Sequence, residues 1–231
     1  AVYHGPQGLK RIASRVHQLA QITAKKLSEL SFEISPTHFF DTFRVFVSDS
    51  QKKEITQKMG AQKINLNVNR DQSISISFDE TKTFQDVKEL IPIFSEFSPA
   101  SISPVTKMEI KRSLTAPSLP HSSDPSKSEN LTYLLRQSSF LTHPTFNSFN
   151  TETEMLRYIR RLEGKDLTLA QSMIPLGSCT MKLNAASEML PITWPELSQI
   201  HPFAPLHQAE GYMQIIAELG HWLCQLTGFQ A

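Results

Sequence analysis

The side chains with the clearest potential for covalent chemistry lie close together, in residues 177–182. The run Gly177-Ser178-Cys179-Thr180 places a thiol between two hydroxyls, and Lys182 follows two residues later. A cysteine at a helix N-terminus can act as a nucleophile because the helix lowers its pKa, and a lysine can form a Schiff base with a carbonyl compound. The spacing therefore raises the question of whether this turn performs chemistry or only shapes a binding site.

The same turn is suited to bind an anion. Gly177 allows the backbone to bend, and Ser178 or Thr180 can cap the helix-compatible run "MKLNAASEML" that follows. Free backbone amides at the start of a helix attract a negatively charged group. An ordinary N-cap turn needs the same residue types, and on chemistry alone it is the favoured interpretation.

Neither Cys179 nor Lys182 has a companion that identifies it as catalytic. A nucleophilic cysteine normally needs a base, and no histidine lies near Cys179 in the sequence. This favours a structural or substrate-contacting thiol. Lysines on the first turn of a helix mostly pair with an anion or with solvent, so we expect no Schiff base at Lys182.

The run "HPFAPLH" contains two histidines, His201 and His207. They are six residues apart with two prolines between them, and no carboxylate or thiol lies within the run. This spacing fits no helical metal site, so both histidines are predicted to be loop residues. Trp194 and Phe203 are predicted to anchor this loop in a core or an interface.

Residues 1–97 show alternating helix and strand patterns. The predicted elements are a helix over 9–30, a strand over 38–47, a helix from Ser48 or Ser50 to Gly60, a hairpin over 64–78 and a helix over 84–94. The order helix, strand, helix, strand, strand, helix predicts a compact α/β fold.

The rest of the chain divides into a connector and a helical part. Residues 98–135 are rich in proline and serine and poor in large apolar groups, which predicts an irregular connector. In the third part, residues 136–231, Thr151 and Glu154 form a capping-box pattern before a helix that ends at Gly164. Apolar residues from Tyr212 to Leu226 predict another helix, which ends at Gly228.

Composition excludes several classes of protein. The 23 lysines and arginines balance 22 acidic residues, so the chain has no broad electrostatic field to attract nucleic acid or an anionic membrane surface. No apolar run approaches the roughly 20 residues of a membrane-spanning helix. The two cysteines form neither a disulfide framework nor a metal-ligand pair. The residues alone thus indicate a soluble α/β chain with an anion-binding turn as one interpretation.

A family resemblance adds a function. The run "PLGSCTMK" resembles a highly specific motif of the glycine cleavage system P-proteins, which are pyridoxal-phosphate-dependent glycine decarboxylases. The upstream run "SSFLTHPTFNSFNTETEMLRYIRRLEGKDLTLAQ" is similar to the start of that family's second half, and "YHGPQGLKRIASRVHQLA" to the start of the small domain that ends its first half. One departure is Asn150, where the family usually has histidine.

The resemblance implies a fold and a site. The complete family member is similar to fold-type I aminotransferases and is built from two homologous halves. Residues 1–97 would be the small α/β domain of the first half, and residues 136–231 the helical start of the second. The lysine that holds pyridoxal phosphate would lie after a histidine, and this sequence has no His-Lys pair. The resemblance therefore implies a central fragment that is inactive alone, in which Ser178, Cys179 and Thr180 lie beside substrate or cofactor.

The implied reaction is the decarboxylation of glycine with pyridoxal phosphate, followed by transfer of the aminomethyl group to the lipoyl arm of the H-protein. The implied partners are glycine, the lipoylated H-protein, the other glycine cleavage components and a second copy of the full-length chain. The implied compartment is the bacterial cytoplasm, or the mitochondrial matrix in a eukaryote. Neither nucleic acid nor a membrane is an expected partner.

A second interpretation comes from a different class of protein. The order β-α-β-β-α over residues 39–97 would also suit a non-catalytic regulatory or interaction module, because one small fold can serve many functions. The two interpretations differ in what the gene encodes after Ala231. A glycine-rich turn and a later His-Lys pair would favour the enzyme.

Overall fold

The computed structural model describes residues 1–98, 136–165 and 185–230. They belong to two compact units, Ala1–Asp166 and Leu167–Ala231. The first unit is a mixed α/β structure with one small antiparallel sheet, which confirms the coarse fold class. The predicted connector lies mostly outside the described residues, so the predicted division at 97 and 135 stays a prediction. Residues 136–165 fall in the first unit, although that division grouped them with the third part.

The first unit contains four helices and four strands among the described residues. In chain order they are α1 (Gly5–Glu29), β1 (Ile34–Ser35), β2 (Thr42–Phe46), α2 (Asp49–Ala61), β3 (Asn67–Val68), β4 (Ser73–Ser77), α3 (Phe84–Glu96) and α4 (Glu152–Glu163). The sheet order is β1-β2-β4-β3, and every neighbouring pair is antiparallel. The predicted element order is confirmed, and β1 is an addition to it.

The core lies on one face of this sheet. Alternate residues of β2 and β4, such as Phe43, Val45, Ile74 and Ile76, are buried together with the apolar stripe of α1. Helices α2 and α3 contribute further members of the same cluster, among them Ile55 and Phe94. Each large apolar side chain buried in this way contributes about 1.5–3 kcal/mol to folding.

Side-chain caps start α2, α3 and α4, whereas α1 begins without one. Of the two predicted caps for α2, the structure selects Ser48, whose hydroxyl accepts a hydrogen bond from the amide of Gln51. The predicted stop at Gly60 is wrong, because α2 continues to Ala61. Lys63, with φ 61°, adopts the left-handed conformation that was expected of a terminal glycine, and its amide donates to the carbonyl of Gly60.

Residues 136–165 contact the beginning of α1. The 3-10 turn Pro144–Asn147 lies against it, because a β-carbon added at Gly5 would be 2.7 Å from the carbonyl oxygen of Phe146. Gly5 also has φ 60°, a left-handed conformation that favours glycine. The ammonium of Lys10 lies 5.7 Å from the ring centre of Phe140. Glycine at position 5 therefore permits the close approach of two segments that are distant in sequence.

The second unit is helical over its described part. It contains α5 (Ala186–Met189), the 3-10 turn Leu190–Thr193, α6 (Pro195–Ser198), the 3-10 turn Leu206–Gln208 and α7 (Glu210–Thr227). The predicted end of α7 is confirmed, since Gly228 takes a left-handed conformation with φ 75°. The Tyr212 hydroxyl donates to the carbonyl of Leu197 and ties α6 to α7. None of the helices within the described ranges is long and apolar enough to cross a membrane.

Candidate functional site

The predicted site residues Ser178, Cys179 and Thr180, together with Lys182, lie outside the described residues. Their assignment to a substrate- or cofactor-adjacent loop therefore stays a prediction. The described residues nearest to them in sequence are Lys165 and Ala185. The two segments that flank this run in the sequence contain helix α4 and helix α5.

The flank on the N-terminal side is the capped helix α4. The hydroxyl of Thr151 accepts a hydrogen bond from the amide of Glu154 at 3.3 Å, and the Glu154 carboxylate accepts one from the amide of Thr151 at 3.2 Å. This confirms the predicted capping box. The hydrogen bond from the Thr151 hydroxyl is the main reason that the pKa of Glu154 lies below its ordinary value. The carboxylate is thus ionised at neutral pH and complements the positive end of the helix dipole.

An aromatic and cationic stack joins α4 to the residues that precede it. The rings of Phe149 and Tyr158 have centres 4.3 Å apart and are nearly parallel. The guanidinium of Arg161 lies 5.3 Å from both ring centres, which is within cation–π range. The stack holds Phe149 against the surface of α4, and the next residue, Asn150, is kept close to the start of the helix as a result.

Asn150 is the position at which the sequence departs from the family pattern. It is exposed and directly precedes the N-cap residue Thr151. Its side-chain oxygen would be 3.8 Å from a β-carbon built at Gly5. Asn150 therefore lies at the contact between the start of α1 and the start of α4.

The flank on the C-terminal side changes one prediction about the loop. A continuous helix over "MKLNAASEML" is wrong, because Ala185 has extended backbone with ψ 146° and α5 begins at Ala186. The amide of Ala185 donates to the Glu188 carboxylate at 3.1 Å and closes this helix start. Ser178 and Thr180 are consequently not the N-cap of α5. The hypothesis of an anion site then depends on the amides of the turn itself and not on the end of α5.

The proline-containing loop after α6 is exposed. The His201 ring nitrogen Nδ1 accepts a hydrogen bond from the amide of Phe203 at 3.0 Å, which agrees with the predicted loop role. Trp194 and Phe203 do not lie in a core among the described residues, since their exposed fractions are 50% and 89%. The alternative that they anchor the loop in an interface stays a prediction. Within the described ranges, no group of three or more possible metal ligands is found.

Sequence reasoning missed a cavity beside α1. Its volume is about 170 Å³, and its walls are formed by Arg11, Ile12, Arg15, Val16 and Glu80. Arg15 donates to the carbonyl of Lys82 at 2.7 Å. The i, i+4 spacing of the two arginines was the available signal. The carboxylate of Glu80 offsets the charge of one of the two arginines.

In the turn below this cavity, the Asp79 carboxylate remains ionised. Partial burial alone would raise the pKa of Asp79. Hydrogen bonds from Thr81 and the nearby ammonium of Lys82 outweigh this effect and lower the pKa below its ordinary value. The group stabilises the turn and has no feature of a proton-transfer residue.

Comparison with known proteins shows which family the chain resembles. Residues 1–94 match the family model described as the glycine cleavage system P-protein. The chain is 47% identical over 234 residues to "Glycine dehydrogenase (decarboxylating)" of Nostoc punctiforme, an alignment that covers 99% of this chain and 22% of the relative. This chain therefore resembles the glycine cleavage system P-protein family over residues 1–94, and glycine dehydrogenases (decarboxylating) over almost its entire length.

Other relatives show the same coverage. This chain is 46% identical to the mitochondrial glycine dehydrogenase (decarboxylating) of Pisum sativum, over all of this chain and 20% of the relative. It is 45% identical to the Klebsiella pneumoniae enzyme, over all of this chain and 23% of the relative. The chain thus spans about a fifth of the length of the curated relatives it matches. Similarity extends across both flanks of the predicted loop.

Proposed function

We propose that the chain is part of a glycine dehydrogenase (decarboxylating), which removes the carboxyl group of glycine and passes the aminomethyl group to the lipoyl arm of the H-protein. The supporting observation is 45–47% identity to enzymes of that name over 99–100% of this chain. Because the chain spans only about a fifth of those relatives, the activity is assigned to the full-length protein. The chain alone is expected to be inactive.

The proposed role of Ser178, Cys179 and Thr180 is to bind an anionic group of glycine or of the cofactor. Two hydroxyls, a thiol and the backbone amides of a turn form a set of donors that suits a carboxylate or a phosphate. Bound pyridoxal phosphate would act as the electron sink for the carbanion left by decarboxylation. The contribution of the loop is to orient the carboxylate before that step and to hold its charge.

Lys182 has a supporting role in this proposal. Its ammonium would strengthen the field around a bound anion, while the lysine that carries the cofactor is supplied by another part of the full-length protein. Cys179 is proposed to contact substrate without forming a covalent bond, because no base is assigned to it. No residue of this chain is proposed as a Schiff-base lysine.

The wider assignment is supported by the similarity to the glycine cleavage system P-protein family. We propose a fold-type I architecture for the complete protein, a homodimer of the full-length chain, and the lipoylated H-protein and the other glycine cleavage components as partners. The names of the plant relatives include the word mitochondrial, which supports the mitochondrial matrix if the source is a eukaryote. The bacterial cytoplasm is the corresponding proposal for a bacterium.

The decisive experiment uses the full-length product with pyridoxal phosphate and lipoylated H-protein. Labelled bicarbonate should exchange into the carboxyl group of glycine, because decarboxylation is reversible on the enzyme. H-protein that carries no lipoyl group is the matched control and should support little exchange. Absence of exchange with folded, cofactor-loaded protein would reject the assignment and favour the regulatory or interaction module.

A further inference from the structure

The helix α7 has an apolar face that none of the described residues of the second unit covers. Six large side chains on it are 51–83% exposed: Ile215, Ile216, Leu219, Trp222, Leu223 and Leu226. The opposite side carries Gln214, Glu218, His221 and Gln225. An apolar surface of this extent on a helix of 18 residues is typical of a protein interface and not of a solvated surface.

The width of this face indicates the kind of surface that it meets. The apolar residues of this face are separated by three, one and three positions, and this pattern occurs twice between Tyr212 and Leu226. This is the broad stripe of a helix that packs on the core of a globular protein, whereas a two-helix coiled coil uses a narrower seam with two apolar positions in seven. The pattern therefore argues against a pairing of two α7 helices from separate copies.

The end of α7 is closed by a left-handed glycine. Gly228 is left-handed and its amide donates to the carbonyl of Cys224 at 2.8 Å. A left-handed glycine after a helix reverses the chain and is typical of a short connection to an element that packs on the same helix. The relatives are about five times as long as the matched region, so they contain ample polypeptide for this role.

We propose that the apolar face of α7 is an internal docking surface for the polypeptide that continues past residue 231 in the full-length protein. The polar side of the helix, centred near His221, stays in contact with solvent. The proposal depends on the similarity to longer relatives and on the geometry of α7. It does not depend on the proposed activity.

Thiol labelling of the full-length product tests the proposal. Leu219→Cys lies on the apolar face, and His221→Cys lies about 200° around the helix from it. Labelling at each position is followed by peptide mass spectrometry, which separates it from other cysteines. We expect Leu219→Cys to react about 100-fold or more slowly than His221→Cys, because reaction requires local opening of a buried contact. Labelling rates within about threefold of each other would overturn the proposal.

A second measurement needs no substitution. Full-length protein grown with photo-leucine is irradiated, and peptides linked to positions 219 and 223 are identified by mass spectrometry. A mixture of ¹⁴N-labelled and ¹⁵N-labelled copies distinguishes links within one chain from links between two copies. The proposal predicts links to residues beyond 231 of the same chain. Links to another copy, links only to residues 1–231, or no links would each overturn it. Glycine exchange by the same preparation tests the proposed function independently.

Discussion

Substitution of Gly5 by alanine tests how residues 136–165 attach to α1. At φ 60° an L-residue is disfavoured, and this conformation alone costs about 1–2 kcal/mol. The new β-carbon would also lie 2.7 Å from the carbonyl oxygen of Phe146, so either the turn Pro144–Asn147 or the first turn of α1 must move. With the loss of that contact, we expect the free energy of unfolding to fall by about 2–4 kcal/mol.

The assay is urea unfolding of the chain, followed by far-UV circular dichroism. Gly60→Ala is the matched control, because Gly60 lies inside α2 with no atom within 4 Å of an added β-carbon. It should stabilise the protein by about 0.5–1 kcal/mol, since alanine is the better helix former. The two alanine variants should therefore move the urea midpoint in opposite directions. A change below about 0.5 kcal/mol for Gly5→Ala would refute the argument, because both the strain and the contact would then be absent.

Three further predictions concern the loop, the capping box and the core. In the full-length protein, Thr180→Ala should lower kcat/KM for glycine about tenfold or more, because the carboxylate of glycine loses a hydrogen-bond donor. Lys182→Ala should leave the visible absorption of the bound cofactor unchanged. Loss of that absorption would identify Lys182 as the residue that carries the cofactor. The lowered pKa of Glu154 means that its contribution to the stability of α4 is complete above its unfolded pKa and is lost as pH falls through the lower folded value. The helical circular dichroism of Glu154→Gln should therefore decrease less than that of the unsubstituted protein as the pH falls below about 4.5. An equal decrease in both proteins would contradict this. Phe43→Ala should lower the free energy of unfolding in urea by about 3–5 kcal/mol, because Phe43 is 1% exposed and its removal leaves a cavity. A decrease below about 1 kcal/mol would show that the surrounding side chains fill that cavity.

Periodicity was a sufficient signal wherever a long element has one buried face. The apolar spacing of α1 and α3 predicted both helices, and the alternation around Phe43 predicted β2, because burial on one side imposes a regular repeat. Strand β1 has only two residues, which is too short for a repeat to be recognised. Its existence depends on pairing with β2, a tertiary contact that the local sequence does not contain.

Helix boundaries were less predictable because several backbone solutions compete at each end. Gly60 has the expected residue type for a helix end, but Lys63 provides the left-handed residue and the helix runs further. The break at Ala185 had no signal at all, since alanine has no capping side chain and the cap is closed by Glu188 from within the helix. The candidate loop itself came from a sequence motif and from resemblance, because a binding role depends on neighbours that the sequence alone does not place.

The hydrogen bond between Tyr212 and Leu197 has a consequence for the loop between α6 and α7. This loop is connected to α7 at both ends: the chain continues into α7 at Glu210, and the Tyr212 hydroxyl of α7 donates a hydrogen bond to Leu197 near the start of the loop. The loop therefore cannot move independently of that helix. The position of α7 would therefore determine the position of His201 and His207 in any contact with a bound molecule, although α7 itself need not touch that molecule. Tyr212→Phe would release this coupling while leaving the ring in place.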